Sequence, residues 1–186
     1  MKKRLFVAIE LPPDLRRAYR QYASAEAGRW PGARWTADDN LHVTVLFLGG
    51  VDEAAVTDLA GDLGRAAAST ASFTMAHEAL MLAPPGRRPP TMIWATFSGR
   101  EPYAVLVGTI SSSTKRHAPD AATDKEPLPH VTLARSKDKV IAPRGQDVRQ
   151  LPQTPESFLV NEILLVESRL TPSGPVYTVV HKFGLN

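Results

Sequence analysis

Two short segments of this chain, LHVTVLF at positions 41–47 and PHVTLAR at positions 129–135, show the same alternation of residue types. In both, a histidine is followed by valine, threonine and an aliphatic residue. Alternation with a period of two is typical of β-strands, in which successive side chains point to opposite faces. Each segment therefore predicts a strand that buries aliphatic side chains on one face and displays a histidine and a threonine on the other.

Turn residues and apolar periodicity predict the order β-α-β-α-β-β-α-β-β-β for the whole chain, which is an α+β pattern. No linker is long enough to separate independent domains, so we predict one domain over residues 1–186. Because the two similar segments lie in different halves of the chain, we expect a duplicated, two-lobed architecture. The predicted strands are 4–11, 41–49, 73–82, 92–97, 128–135, 158–170 and 176–184, and the helices are about 14–27, 53–68 and 103–113.

The histidine and threonine of each segment are two positions apart, so they project from the same strand face, about 6.6 Å apart along the strand. Two such strands side by side would enclose a small anion between His42 with Thr44 and His130 with Thr132. Histidine has an ordinary pKa of about 6.5 and can take or give a proton near neutral pH. Threonine hydroxyls can bind phosphate oxygens. The pattern predicts phosphodiester hydrolysis by two histidines without a metal.

Composition excludes several other kinds of chemistry. The chain has no cysteine, which rules out disulfides, thiolate nucleophiles, thiolate zinc sites and iron–sulfur ligation. The basic start is followed by an apolar run at 5–9 that Glu10 interrupts, which is too short for a signal peptide. No segment approaches the roughly 20 apolar residues that span a bilayer. We therefore expect a cytoplasmic protein with no membrane partner.

Positive charge is concentrated in one segment of a chain whose net charge is only +3. This basic segment, residues 135–149, is compatible with a phosphate-rich ligand, although a solvated loop is the commoner explanation of such a run. Its basic residues are Arg135, Lys137, Lys139, Arg144 and Arg149, against the acidic residues Asp138 and Asp147.

The paired HVT segments resemble the His-x-Thr-x motifs after which the 2H phosphoesterases are named. The resemblance extends over nearly the whole chain and is to the branch of bacterial RNA 2′,3′-cyclic phosphodiesterases, also called 2′-5′ RNA ligases. Besides the motifs it is carried by RLFVAIELP at the start, the Trp35–Gly49 stretch, IWATF at 93–97, and LLVESRL with Gly174 and Tyr177.

The resemblance implies a bilobal fold in which two antiparallel sheets line a central cleft, with helices outside and one motif per lobe. It also implies hydrolysis of RNA or nucleotide 2′,3′-cyclic phosphates to 2′-phosphates, with RNA ends such as tRNA fragments as partners. By matching position, His42 becomes the general acid, His130 the general base, and Thr44 and Thr132 the phosphate contacts. We expect no cofactor, no metal and a monomer.

Two further positions match the family motifs: Phe47 resembles a base-stacking aromatic and Arg135 a phosphate-binding arginine. Each lies five residues after its histidine, which is the opposite face of a regular strand. Either side chain reaches the cleft only if its strand ends, twists or bulges first. We expect the strand to end near Arg135, and we favour core packing over stacking for Phe47.

Several alternatives remain open at this stage. One His-x-Thr alone is close to background, and a metal site on His42 and His130 would need a further ligand, for which Asp38, Asp39, Asp120 and Asp124 show no ligand spacing. The same cleft could serve a non-catalytic module that binds RNA ends, or mainly a 2′-5′ RNA ligase or 2′-5′ phosphodiesterase.

We interpret His77 and His181 as strand-surface residues, and the tryptophans Trp30, Trp35 and Trp94 as core or rim anchors, with Trp35 at the cleft entrance.

Overall fold

The computed structural model describes residues 1–86, 89–121, 126–136, 141, 147–152, 157–172 and 174–186. Over these residues the chain forms both β-strands and α-helices. The strands are β1 (Lys2–Glu10), β2 (Ala33–Trp35), β3 (His42–Asp52), β4 (Phe73–Met75), β5 (His77–Ala83), β6 (Met92–Phe97), β7 (His130–Ser136), β8 (Phe158–Val160), β9 (Glu162–Thr171) and β10 (Gly174–Gly184), and the α-helices are α1 (Pro13–Glu26), α2 (Val56–Ala68) and α3 (Arg100–Thr114).

The strands form two four-stranded antiparallel sheets and one two-stranded sheet. The first sheet has the order β10-β9-β1-β3, the second has the order β2-β7-β6-β5, and β4 pairs with β8. The two motif strands are thus divided between the sheets, since β3 begins at His42 and β7 begins at His130. The predicted α+β class with two antiparallel sheets is confirmed.

The aliphatic faces of both motif strands are buried in one hydrophobic cluster. Val43 and Val131, the neighbours of the two histidines, are 0% and 1% exposed and belong to the same cluster. Helix α2 packs against α3 and against β9 and β10, and α3 also contacts β3. Burying these aliphatic faces leaves the histidine faces of the two strands directed away from the core. None of the helices in the described ranges has the length and apolar character needed to cross a membrane.

The structure differs from the sequence prediction in several strands. The predicted strand 73–82 is divided at Ala76 into β4 and β5, and the predicted strand 158–170 is divided at Asn161 into β8 and β9. These breaks allow β4 and β8 to pair with each other outside the two large sheets. Strand β3 does not close at Gly49 but continues to Asp52, because it pairs with β1 along its whole length. The three-residue strand β2 was not predicted.

Helix α3 positions the first motif strand through a hydrogen bond to its backbone. The Tyr103 hydroxyl donates to the carbonyl oxygen of Thr44 over 2.6 Å. The residue that precedes α3, Gly99, has a φ of +77°. A Cβ at this position would lie 2.8 Å from the carbonyl oxygen of Thr74. A side chain there would therefore strain the turn from which α3 starts.

We expect Gly99→Ala to destabilise the fold by about 1–3 kcal/mol, because it adds both a left-handed backbone strain and a backbone clash. The matched control is Gly108→Ala inside α3, where an added Cβ meets nothing within 4 Å. This control should stabilise the protein by about 0.5–1 kcal/mol, since alanine favours a helix interior over glycine. Urea unfolding measures the free energy of unfolding of both variants. Equal values for the two variants would contradict the prediction.

Candidate active site

The two large sheets border a cleft of about 400 Å³ that contains both motif histidines. One wall comes from β3 and the β9–β10 hairpin, and the other comes from β2 and β7. The described lining residues include no aspartate and no glutamate. They are Arg34, Trp35, Thr36, Ala37, Asn40, His42, Thr44, Phe47, His130, Thr132, Arg135, Gly174, Pro175, Val176 and Tyr177.

The imidazole of His42 is held by the main chain just before its strand. Its Nδ1 lies 2.7 Å from the carbonyl oxygen of Asn40. A carbonyl oxygen only accepts hydrogen bonds, so Nδ1 carries the proton that is donated. The other ring nitrogen, Nε2, lies 3.0 Å from Oγ1 of Thr44. The ring also packs against Phe6 and Tyr177, with centroid distances of 4.9 and 5.3 Å.

The imidazole of His130 is held in the same way in the second sheet. Its Nδ1 lies 2.8 Å from the carbonyl oxygen of Leu128, two residues earlier. On the neighbouring strand β6, the indole of Trp94 stacks on the ring with a centroid distance of 3.7 Å and an interplanar angle of 20°. Both motif histidines therefore use Nδ1 for orientation, and both line the cleft.

The pKa of His42 is lowered from its ordinary value of 6.5. Burial is the largest cause, because it disfavours the charged ring, and the positive charges of Arg135 and His130 act in the same direction. The hydrogen bond to the Asn40 carbonyl opposes them by favouring the protonated form. The net effect favours the neutral form of the His42 ring.

The two motif threonines are fixed through their backbones. The carbonyl of Thr44 accepts the hydrogen bond from Tyr103, and the carbonyl of Thr132 accepts one from the Thr36 hydroxyl over 2.7 Å. Both threonine side chains line the cleft beside the histidines of their own strands. A small anion placed between the sheets would meet two hydroxyls and two imidazoles.

Strand β3 carries a β-bulge three residues after its histidine. The residues on either side of Val45 pair with consecutive residues of β1, so Val45 has no partner in β1. A bulge inserts one additional residue and moves the side chains beyond it to the other face. Val45 and Leu46 are consequently both buried, and Phe47 lines the cleft with His42. The expectation of core packing for Phe47 was wrong, since its side chain is 58% exposed.

Strand β7 carries a bulge at the equivalent position. The residues flanking Leu133 pair with consecutive residues of β6, so Leu133 has no partner in β6. Leu133 and Ala134 are both buried, and Arg135 lines the cleft with His130. The strand continues through Ser136. The strand thus ends near Arg135 as expected, but it is the bulge that brings the guanidinium to the cleft.

Comparison with known proteins agrees with this geometry. A curated RNA 2′,3′-cyclic phosphodiesterase of Thermus thermophilus is 31% identical to the chain over 187 residues, covering 98% of this chain and 90% of the relative. This chain belongs to the LigT-like phosphoesterase family. The profile of that family matches residues 9–94, which include the first motif.

Solved structures show the same fold for this LigT-like phosphoesterase. A crystal structure from Thermus thermophilus superposes with a TM-score of 0.82 at 30% identity, covering 98% of this chain and 97% of the other. E. coli LigT, crystallised with NADP⁺, gives a TM-score of 0.78 at 23% identity over 100% and 99% of the two chains. The resemblance to the 2H phosphoesterases stated from the motifs is confirmed, and so is the bilobal fold.

The remaining histidines of this LigT-like phosphoesterase lie outside the cleft. His77 was expected on a strand surface, which was wrong: it is 7% exposed and its Nδ1 lies 3.0 Å from the Tyr19 hydroxyl. The alternating pattern misplaced it because the Tyr19 ring of α1 packs on this imidazole. His181 is exposed on β10, as expected. His117, after α3, contacts the Asp62 carboxylate over 2.8 Å.

Only part of the basic segment, residues 135–149, belongs to the described residues. Arg135 lies at the cleft, whereas Arg149 lies 3.5 Å from the Glu26 carboxylate and is absent from the cleft lining. Lys137, Asp138, Lys139 and Arg144 lie outside the described residues, as does the acidic candidate Asp124. Within the described part of the chain, no group of three or more histidine, aspartate and glutamate side chains is arranged to hold a metal ion.

Sequence reasoning missed several side chains that shape the cleft, namely Arg34, Asn40 and the ring that covers His130. Arg34 comes from the short strand β2, which has no alternation long enough to detect. Asn40 acts through its main-chain carbonyl, which has no sequence signature, and its side-chain Nδ2 donates to the carbonyl of Pro175 over 3.0 Å. Trp94 was expected to be a core or rim anchor, but it stacks on His130. Trp30 is 1% exposed and Trp35 lines the cleft, both as expected.

We expect the pKa of His42 to lie below 6.5 in the free enzyme and to rise when inorganic phosphate is added, because an anion favours the charged ring. Long-range ¹H–¹⁵N spectra of ¹⁵N-histidine-labelled protein measure this pKa and also report the Nδ1-protonated tautomer. Arg135→Gln should raise the pKa of His42 in the free enzyme by removing a nearby positive charge. Arg169→Gln, on β9 away from the cleft lining, is the control. A pKa for His42 above 6.5 without phosphate would contradict the prediction.

Proposed function

We propose that this LigT-like phosphoesterase hydrolyses RNA or nucleotide 2′,3′-cyclic phosphates to 2′-phosphates, using His42 and His130 as an acid/base pair. The observation that carries the proposal is that both imidazoles use Nδ1 for a main-chain carbonyl and line one cleft from different sheets. Proton transfer to and from one phosphate needs two such groups. The Thermus relative named as an RNA 2′,3′-cyclic phosphodiesterase supports the substrate class.

In the proposed reaction, Nε2 of His130 takes a proton from water as the water oxygen attacks phosphorus. Nε2 of His42 gives its proton to the 3′-oxygen as the bond between phosphorus and that oxygen breaks. The product keeps the phosphate on the 2′-oxygen, and the histidines end in exchanged protonation states that solvent restores. Each proton-transfer role typically contributes about 10²- to 10⁴-fold in rate. The scheme needs no metal and no cofactor.

The acid role requires a protonated His42, although burial lowers the pKa of this ring. The cyclic phosphate resolves this conflict because it brings a negative charge next to the ring. An opposite charge within a few ångströms favours the charged form of an imidazole. Binding of the substrate therefore protonates the group that must act as the acid.

The other motif residues take binding roles in this proposal. Hydroxyl groups of Thr44 and Thr132 donate to the non-bridging phosphate oxygens, and the guanidinium of Arg135 stabilises the charge that develops on them. The exposed ring of Phe47 offers a surface on which a base can stack. All four side chains line the same cleft as the histidines.

The proposal extends to the partners and the cellular setting of the enzyme. Its substrates are RNA ends that carry a 2′,3′-cyclic phosphate, including tRNA fragments, and the enzyme acts as a cytoplasmic monomer. A tRNA fragment with a cyclic end tests the substrate directly. Size-exclusion chromatography with light scattering tests the oligomeric state, for which the chain mass is 20.3 kDa.

We expect phosphorus NMR to show conversion of cytidine 2′,3′-cyclic phosphate to the 2′-phosphate by the wild-type enzyme. His42→Ala and His130→Ala should each lower kcat by about 10²- to 10⁴-fold, because each removes one proton-transfer group. His181→Ala, at an exposed position on β10, should keep wild-type activity. Binding of the cyclic nucleotide without ring opening would instead favour a module that only holds RNA ends.

We expect a bell-shaped dependence of kcat/KM on pH, since one imidazole must be neutral and the other protonated in the reacting complex. His42 must be protonated to act as the acid, so loss of its proton forms the alkaline limb, and the lowered pKa of this ring in the free enzyme moves that limb to lower pH. Activity should be unchanged after dialysis against EDTA. Loss of activity in EDTA with recovery on adding a divalent cation would contradict the two-histidine scheme.

A further inference from the structure

One face of β6 supports the second motif strand from behind. Alternate residues of a strand share a face, so Met92 and Trp94 point to the same side of β6, and the residues between and beyond them belong to the hydrophobic core. Nη1 of Arg135 donates to Sδ of Met92 over 2.9 Å, and the indole of Trp94 stacks on the ring of His130. Neither Met92 nor Trp94 is among the described residues that line the cleft. Both side chains therefore lie behind functional groups of β7.

The indole of Trp94 fixes the plane of the His130 ring. Trp94 lies directly opposite Thr132 in the pairing of β6 with β7, next to the histidine. The two ring planes are tilted by only 20°, with a centroid distance of 3.7 Å. The hydrogen bond from Nδ1 to the Leu128 carbonyl fixes one point of the imidazole, whereas the stacked ring fixes its plane. The two contacts together determine the direction in which Nε2 points.

The indole at this position carries a cost that a simpler apolar side chain would avoid. The Nε1–H of Trp94 is buried and has no hydrogen-bond partner among the described residues. Burying an N–H group without an acceptor is unfavourable. Leucine at this position would bury no polar atom, so packing alone does not explain the tryptophan. A local violation of this kind is expected where function requires the side chain. The property that an indole has and leucine lacks is an extended π face.

This π face matters most when His130 carries a positive charge. In the proposed reaction the His130 ring takes a proton from water and becomes an imidazolium. The other titratable or charged side chains of the described lining include no carboxylate and are Arg34, His42, Arg135 and Tyr177. The basic groups among them oppose a further positive charge in the cleft. The negative face of an indole attracts a cation that lies within about 6 Å, so the stack favours the imidazolium over the neutral ring.

We propose that Trp94 is a positioning residue for the reaction, whose indole face holds the His130 ring in the plane for proton transfer and stabilises the positive charge that the ring gains. This inference rests on the proposed function and assigns a role to a residue outside both motifs. The contact strengthens as His130 becomes charged, so it acts on the transition state more than on the bound substrate. Removing the indole should therefore lower kcat and leave KM close to its wild-type value.

The first experiment measures kcat and KM of Trp94→Leu and Trp94→Phe on cytidine 2′,3′-cyclic phosphate. We expect Trp94→Leu to lower kcat by about 10- to 100-fold, the combined size of a lost cation–π contact and a misplaced base. Trp94→Phe keeps an aromatic face and should recover most of this loss. The acidic limb of the kcat/KM profile, which reflects protonation of the base, should move to lower pH in Trp94→Leu. An unchanged kcat in Trp94→Leu, or equal losses in the two variants, would overturn the inference.

A double-mutant cycle separates an action through His130 from a general effect on the fold. In a His130→Ala background, Trp94→Leu should cause no further loss of kcat, because the ring that the indole supports is absent. A further loss as large as that in the wild-type background would overturn the positioning role. The control is Trp30→Phe, which alters a buried indole outside the cleft lining and should keep the wild-type kcat.

Fluorinated tryptophans at position 94 test the same contact if Trp94→Leu does not fold. They keep nearly the size of the indole but weaken the negative potential of its face. We expect kcat to fall progressively with the number of fluorine atoms, and a constant kcat would overturn the inference. If the wild-type enzyme hydrolyses no cyclic phosphate, the proposed function fails, and NMR of ¹⁵N-histidine-labelled protein still tests the stack. The titration midpoint of His130 should then lie at lower pH in the fluorinated protein than in the wild type, and equal midpoints would overturn the inference.

Discussion

Burial of the aliphatic faces of β3 and β7 in one core determines how the rest of this protein is arranged. Val43 and Val131 are almost fully buried in the same cluster, so the opposite faces of their strands are directed away from the core. Because the two strands belong to different sheets, those faces border one cleft. The cost of exposing either valine keeps both histidines at the cleft.

The paired bulges bring a further side chain of each motif strand to the cleft, beyond the histidine and the threonine. Without the additional residue at Val45, Phe47 would occupy a core position, and without the one at Leu133 the same would hold for Arg135. A buried, unpaired guanidinium would be costly. The bulges thus place one aromatic and one cationic side chain next to the histidines. The same device at the same offset in both sheets fits a duplicated origin of the two lobes.

Electrostatics explains how a buried imidazole and a cluster of cations can coexist in this cleft. Burial and neighbouring positive charges lower the pKa of His42, and the carbonyl of Asn40 limits the effect by holding Nδ1–H. The cleft of the LigT-like phosphoesterase therefore has a positive electrostatic character that favours the binding of anions. A phosphate then relieves repulsion between groups that the fold already holds in place, which makes binding and protonation of His42 mutually favourable.

Much of this protein follows from its sequence alone, because strand alternation is a local property. The alternating HVT segments determined the two motif strands, the pairing of His42 with Thr44 and of His130 with Thr132, and the family to which the chain belongs. Local pattern could not determine the faces of Phe47 and Arg135, since a bulge arises from the register with a neighbouring strand distant in sequence. Nor could it place Arg34 beside Arg135, because a three-residue strand has no detectable period. Those positions were decided only when tertiary pairing brought β2, β7 and the β9–β10 hairpin together around one cleft.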